Sequence, residues 1–434
     1  MRIRRIFLLL FIVFAASYSA HAQGNSTPAV ALTADGPIMP PMLEYIQRGI
    51  ETAEQRDAEL LVIQLNTPGG SIDTMQSIVA AIRASKVPVV VYVSPQDAQA
   101  ASAGAIITMA GQVSAMAPRT VIGAASPIDS SGADIESTLE SKIKEDLKAK
   151  ARTLIAARGE EATQLAEAMI DDAKAVTANE ALKANLIDFI SDDLEDLLQS
   201  LDGFTVQMED GPRTLHTKDI QVQPLNMSLI ESLLLLLTNP NIVFSLLSLG
   251  TLAILFEISS PGGWVSGFLG AVCVTVALYG IGLLSANWFG IIFLLIAFVL
   301  FILDIKATTH GALTAAGVGS FIVGALVLFN SPGTPEFQRV SVPLVIGVGL
   351  VIGLLFFAIM LVALRVQHRP VQTGEESFIG KIGTAKTFEG EAGQVLVESE
   401  LWSAEKAAES ESIRKGDKIE VVEVRGLRLI VKKK

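Results

Sequence analysis

Five stretches of nearly unbroken apolar residues succeed one another between residues 240 and 365, and a bilayer dictates what such stretches become. Hydrocarbon offers no water to backbone N–H and C=O groups, so a crossing segment folds as a helix that bonds itself. The stretches run over 240–258, 264–284, 288–304, 311–329 and 343–365, each long enough or nearly so for the ~20 residues of a span. Trp264 and Trp288 stand at span ends, where an amphipathic ring favours the headgroup level. The glycines of 311–324 favour close helix packing, within the chain or between subunits. Glu257 and Asp304 fall near span ends, whereas a pump or channel tends to carry carboxylates deep in the membrane. One further run, LIESLLLLL (229–237), is too short to cross and contains Glu231. It is expected to form an interfacial lead-in helix over 228–238, with the membrane region beginning at 239 and ending at 366.

The N-terminus has the make-up of an export signal. Arg2, Arg4 and Arg5 precede an apolar run at 6–16, and Ala20-His21-Ala22 supplies a small-residue cleavage site. A cleaved leader over 1–22 places the domain behind it outside the cytoplasm, and five spans then return the C-terminus to the inside. The loop charges have the matching sign: Lys306 and, after the last span, Arg365, Arg369 and Lys381 lie inside, against Arg339 and Glu336 outside. The expected location is the bacterial inner membrane, with the first domain extracytoplasmic and the last cytoplasmic. Cys273, the only cysteine, excludes an intramolecular disulfide, so the exported domain is held by its core alone. That domain, 23–227, carries 15 Lys and Arg against 29 Asp and Glu, and no domain offers the basic stripe of a nucleic-acid binder.

Within the exported domain, short apolar runs alternate with helical patterns. AVALTAD (29–35), LLVIQLN (60–66) and VPVVVYVS (87–94) read as buried strands. Between them, 40–59 repeats Leu43, Ile46, Ile50 and Ala53 on one helical face, and 71–85 does the same with Ile72, Met75, Ile78, Val79 and Ile82. This alternation predicts parallel α/β layering. Further on, TANEALKANLID (177–188) predicts a helix whose N-terminus is fixed by a Thr177–Glu180 capping box and which packs Ala181 and Leu182.

Two features can carry chemistry. Asn66-Thr67-Pro68-Gly69-Gly70 comes after a buried strand, and its glycines let a substrate backbone approach outward-pointing N–H groups. Ala100-Ala101-Ser102-Ala103-Gly104 puts a serine at a helix start, where it acts either as an N-cap or as a nucleophile with the Ala103 N–H and the helix dipole beside it. A serine nucleophile needs a base, yet no histidine lies between His21 and His216, and His216 sits at the domain's far edge. A lysine serves if burial disfavours its charged form. ESKIKEDLKAKAR (140–152) offers Lys142, Lys144, Lys148 and Lys150 on a helix whose apolar face is Ile143, Leu147, Ala151, Leu154 and Ile155, and the pattern does not choose among the four.

The ordered motifs TPGGS (67–71), ASAG (101–104), AMAPRTVIGAASPI (115–128) and TANEALKANLID resemble the long-form NfeD family of membrane-bound serine proteases. Those are relatives of the Clp protease and signal peptide peptidase A, with a crotonase-like fold. The resemblance spans nearly the whole chain. It implies an α/β crotonase/Clp-protease-like domain, a multi-span helical membrane region and a small all-β OB-type barrel. It further implies Ser102 as nucleophile, Lys142 as general base in a Ser–Lys dyad, and the backbone N–H groups of Gly70 and Ala103 as oxyanion hole, with Lys144 the competing register for the base. Burial of Lys142 in a homo-oligomer, a dimer or larger, would supply the lowered pKa.

The tail, 367–434, holds five short β-runs separated by glycines, the pattern of a small OB-type barrel. Its charge is balanced, with 12 basic and 12 acidic residues, and Trp402 is its only Trp or Tyr, which makes a nucleic-acid stacking platform a poor fit. The family implies a stomatin-like (SPFH) membrane protein as partner there. The expected function is endopeptidase cleavage of apolar segments in membrane-associated proteins, with protein substrate and membrane lipid as the other partners. No motif for a metal, nucleotide or other cofactor is present. The alternative is a non-catalytic scaffold beside an SPFH/stomatin-type protein.

Overall fold

In the computed structural model, which describes residues 27–127, 137–259, 262–306, 309, 311–332, 334–367 and 375–434, the continuous apolar runs are strands. The expected leader at 1–22 lies outside these residues. Strands β1 (Ala29–Asp35), β2 (Leu60–Asn66) and β3 (Val89–Val93) lie side by side in parallel, with α1 (Pro40–Gln55) and α2 (Ile72–Ala84) as crossovers. Then come β4 (Gln99–Ala101), α3 (Ala103–Ala110), β5 (Val113–Met116) and β6 (Val121–Gly123). Helices α4 (Ser137–Leu154) and α5 (Glu160–Asp171) lead to β7 (Ala175–Thr177), α6 (Ala178–Lys183), β8 (Phe189–Ile190) and α7 (Leu194–Leu201). A hairpin of β9 (Thr205–Met208) and β10 (Gly211–Thr214) precedes β11 (Val222–Leu225). The main sheet has the order β11-β1-β2-β3-β5-β8, and β4-β6-β7 form a second, smaller sheet. This is the parallel α/β layering expected of residues 23–227.

The main sheet is covered on both faces, as an all-parallel sheet must be. Val30, Leu32, Leu61, Ile63, Val89 and Val91 face α1, α2 and α3, while Ala29, Ala31, Leu60, Val62, Val90 and Tyr92 face α7 and the hairpin. Neighbouring residues go to opposite faces, which is why these strands read as unbroken apolar runs. Two local expectations need correction. The first helix ends at Gln55 rather than 59, since Asp57 turns the chain with φ 48. The capping box on α6 is present, but that helix buries Ala178 and Ala181 and leaves Leu182 40% exposed. Strand β11 has no counterpart among the expected strands because Pro224 interrupts its pattern. At the sheet edge, where β11 pairs only with β1, a proline is tolerated.

The lead-in segment forms α8 (Leu229–Leu236), closed by a Ser228–Glu231 capping box. Glu231 is buried and pairs with Arg48 of α1 at 2.6 Å, while Leu229, Ile230, Leu233 and Leu236 face outward. Five apolar helices come next: α9 (Pro240–Ser259), α10 (Val265–Leu283), α11 (Phe289–Lys306), α12 (Ala312–Phe329) and α13 (Val342–Gln367). Four are long and apolar enough to cross a membrane, whereas the apolar part of α11 stops at Asp304 and falls short of that measure. The first four form two antiparallel hairpins joined at small residues. A Cβ on Gly250 of α9 would lie 2.9 Å from the Gly270 carbonyl oxygen, and one on Gly290 of α11 would lie 2.6 Å from that of Gly324. Bare backbone lets each pair approach, as the glycine-rich sequence suggested.

The chain's second compact unit, from Leu355 onward, holds the barrel. Strands β12 (Ile382–Glu389), β13 (Ala392–Val397), β14 (Glu400–Lys406), β15 (Lys418–Arg425) and β16 (Arg428–Lys433) close in the order β12-β13-β14-β16-β15. Ala385, Val395, Val397, Ile419, Val421, Leu429 and Val431 fill its interior. Trp402 packs on Phe378 with ring centroids 4.8 Å apart.

Candidate active site

The two glycine-containing motifs are interlocked. Thr67 N–H donates to the Gln99 carbonyl at 2.7 Å and Ala101 N–H to the Thr67 carbonyl at 3.1 Å, so the TPGG turn pairs with β4. A Cβ on Gly69 would come 2.7 Å from the Ser102 Cβ, and one on Gly104 would come 2.5 Å from the Thr67 Cγ2. Ser102 N–H donates to the Gly123 carbonyl of β6 at 2.8 Å, which extends the β4–β6 pairing of the smaller sheet to the serine. At φ 52 and ψ −116, Ser102 occupies a backbone region that favours glycine. Its side chain makes no capping hydrogen bond to α3, so the N-cap reading fails. A non-glycine residue held there costs about 1–3 kcal/mol and persists where the surroundings over-determine it, typically at functional sites.

The backbone around Gly70 is fixed by its neighbours. Gly70 is pinned by Ile38, whose N–H bonds the Gly69 carbonyl at 2.8 Å and whose carbonyl accepts from Ser71 N–H at 2.9 Å. The Gly70 N–H between them, and the Ala103 N–H at the start of α3, have no acceptor among the described residues. A Cβ on Gly70 would fall 2.1 Å from the Ile38 carbonyl oxygen, so only glycine fits.

Helix α4 distinguishes its four lysines by their partners. Lys144 pairs with Glu140 at 2.8 Å, Lys148 with Glu145 and Asp171 at 2.5 and 3.0 Å, and Lys150 with Asp146 at 2.7 Å. Hydrogen bonds that Lys148 donates to Glu145 and Asp171 push its ammonium above the ordinary lysine range, the wrong direction for a base. Lys142 has no carboxylate partner among the described residues, and it alone of the four lines the cleft that holds Ser102. No hydrogen bond joins Lys142 to Ser102 in the single chain, where Lys142 is exposed. His216 is exposed, does not line the cleft, and contributes its backbone N–H to Glu59.

The cleft encloses about 1620 Å³ and brings Gly70, Ser102 and Lys142 together with Ser71, Ala124 and Ser126. Its far wall was not foreseen. It comes from the membrane body: residues 282–286 and Trp288 in the α10–α11 connection, and 335–338 in the α12–α13 connection. Nothing local in those segments marks them, since Trp288 reads equally well as a headgroup anchor.

Fold and cleft together define a class: an α/β peptidase domain mounted on membrane helices. Residues 35–223 match the NfeD1b N-terminal domain, 241–362 the NfeD integral membrane domain and 375–433 the NfeD-like C-terminal, partner-binding domain. The membrane-bound protease PH1510 of Pyrococcus horikoshii is 35% identical over 398 residues, 89% of each chain. Membrane protein NfeD1b of Bacillus subtilis is 24% identical over 462 residues, covering 99% of this chain and 98% of that one. Among solved structures, the 1510-N membrane-bound stomatin-specific protease with a substrate peptide is 32% identical, with TM-score 0.46, over 49% of this chain and 98% of that one. The chain belongs to the NfeD family, in its long form, and is a membrane-bound protease.

Proposed function

We propose that this protease is a Ser–Lys endopeptidase in which Ser102 Oγ attacks the peptide carbonyl and neutral Lys142 accepts its proton. The observation that carries the reading is the pairing within one cleft of a strained, uncapped serine with the single lysine of α4 that lacks a carboxylate partner among the described residues. The oxyanion of the tetrahedral intermediate is held by the Gly70 and Ala103 N–H groups, which are fixed by the fold before substrate arrives. Lys142 then returns its proton to the leaving amine, and water, activated by the same lysine, releases the acyl group from Ser102. Acting as the base requires Lys142 to be desolvated, because burial disfavours an ammonium. Association into a dimer or larger homo-oligomer over the cleft mouth supplies that desolvation.

The substrates in this reading are apolar segments of membrane-associated proteins, with a stomatin-type protein as substrate and partner. The stomatin-specific activity in the name of the 1510-N protease and the partner-binding description of the barrel's family support it. All five helices cross the membrane. Helix α11 rises about 27 Å over its 18 residues, as α12 does, and Asn287 N–H at its start bonds the Leu328 carbonyl at the end of α12. With the leader removed, the protease domain lies outside the cytoplasm of a bacterial inner membrane and the barrel lies inside it.

The test is labelling of the full chain with a serine-reactive probe across pH 6–9. Label on Ser102 that is lost in Lys142→Ala and kept in Lys144→Ala is expected. Equal labelling in both variants removes Lys142 as base, and undiminished peptide cleavage by Ser102→Ala removes the nucleophile.

A further inference from the structure

We propose that the membrane body is part of the substrate site: the loops at its protease-facing end form a specificity wall for the stretch of a membrane-tethered protein that lies just outside its span. This deepens the peptidase reading and rests on Ser102 as the reacting group. Three observations carry it. First, the cleft that contains Ser102 is completed by residues 282–286, Trp288 and 335–338, so a chain lying across the serine touches the membrane body.

Second, that wall is built rather than loose. Gln338 is 5% exposed and accepts from Ser285 N–H at 2.9 Å, tying one loop to the other. Asn287 Nδ2 donates to Ser331 Oγ at 3.0 Å, and Asn330 exchanges two 2.9 Å bonds with the Val340 backbone. Such satisfied polar networks hold a surface in one shape. On this frame Trp288 stands 65% exposed and Phe337 half-buried, the kind of aromatic side chain that anchors a bound polypeptide.

Third, the wall lies at the ends of α10, α11, α12 and α13, which in the five-span reading meet the headgroup layer. A substrate inside the bilayer is held helical by its own hydrogen bonds, whereas a peptidase cleft takes an extended chain. The bond that reaches Ser102 therefore belongs to the first unwound residues beyond a span. Among the described lining residues three carboxylates, Asp73, Asp146 and Glu336, stand against one cation, Lys142, which favours a segment free of carboxylates. At about 1620 Å³ the cleft also exceeds the space of a small-molecule site.

The test uses the full chain in phosphatidylcholine nanodiscs and one fluorogenic peptide, apolar with a single lysine and no carboxylate. The peptide is presented free or joined to a transmembrane anchor through about four residues, which reach ~13 Å when extended. The wild-type preference for the anchored over the free form, read as a ratio of kcat/KM, is expected to fall about tenfold in Trp288→Ala/Phe337→Ala through KM. Trp288→Phe restores most of it. An unchanged ratio, or an equal loss for both forms with no rescue by Trp288→Phe, overturns the proposal. Contact is also read without turnover: in Ser102→Ala, an anchored peptide bearing a photo-crosslinker is captured on 282–288 or 335–338, and capture confined to the protease domain overturns it. Undiminished cleavage by Ser102→Ala instead sinks the nucleophile assignment, while crosslinking still reports on the wall.

Discussion

Ser102 holds the most information per residue in the chain. Its backbone sits where glycine is favoured, and its hydroxyl does not cap the helix it begins. Ser102→Gly and Ser102→Ala are both expected to abolish cleavage, but the glycine variant relieves backbone strain that alanine retains. It is expected to be about 1 kcal/mol more stable than the alanine variant, as read from thermal or denaturant unfolding. Gly70→Ala forces a methyl against the Ile38 carbonyl and moves an N–H that faces the cleft. A fall in kcat of about 100-fold with KM little changed is expected, and unaltered kcat would remove Gly70 from the oxyanion hole. The sequence placed both residues in chemically apt motifs. It did not show that the motifs touch, because the contact between Gly69 and Ser102 joins segments more than thirty positions apart.

At the scale of elements, α4 and α8 show how one charge pattern conceals different roles. The lysines of α4 are spaced like a solvated face, and three of them are that, each held by carboxylates. Only the packing of Leu147 and Ala151 into the core turns Lys142 toward the serine's cleft. Helix α8 is fastened to the protease domain by Glu231, whose carboxyl is held below the usual range chiefly by the hydrogen bond from Arg48, against the opposing effect of burial. A depressed folded-state pKa stabilises above the unfolded value, about 4.3, and that stability is lost as pH falls through the folded value. Amide-exchange protection over 229–236, corrected for intrinsic exchange, is therefore expected to fall about fivefold as pH drops below about 4.3. Glu231→Gln should show the lower protection at pH 7 as well. With Arg48 34% exposed, solvent limits the contribution to about 1 kcal/mol.

For the whole molecule, the membrane helices position a wall of the cleft as well as anchoring the protease. Gly290 lets α11 and α12 close on each other, and both carry loops that reach the cleft. Gly290→Leu inserts a side chain where a Cβ alone would already lie 2.5 Å from Leu328. It is expected to lower cleavage of an anchored peptide at least fivefold while the protease domain's own amide-exchange protection stays as in the wild type. Equal loss of protection throughout would show that the two bodies unfold together.

The sequence alone determined the division into α/β domain, membrane helices and β-barrel, because hydropathy and periodicity are local and each body reports its own solvent. It also determined the buried strands of the main sheet and the capping box on α6. It left out β11, where Pro224 is acceptable only because that strand lies at an edge. The tertiary structure decided that Ser102 is strained and uncapped, that Lys142 among four lysines lines its cleft, and that the membrane body supplies the opposite wall. Those facts depend on contacts between residues up to more than two hundred positions apart, and no local pattern encodes such a distance.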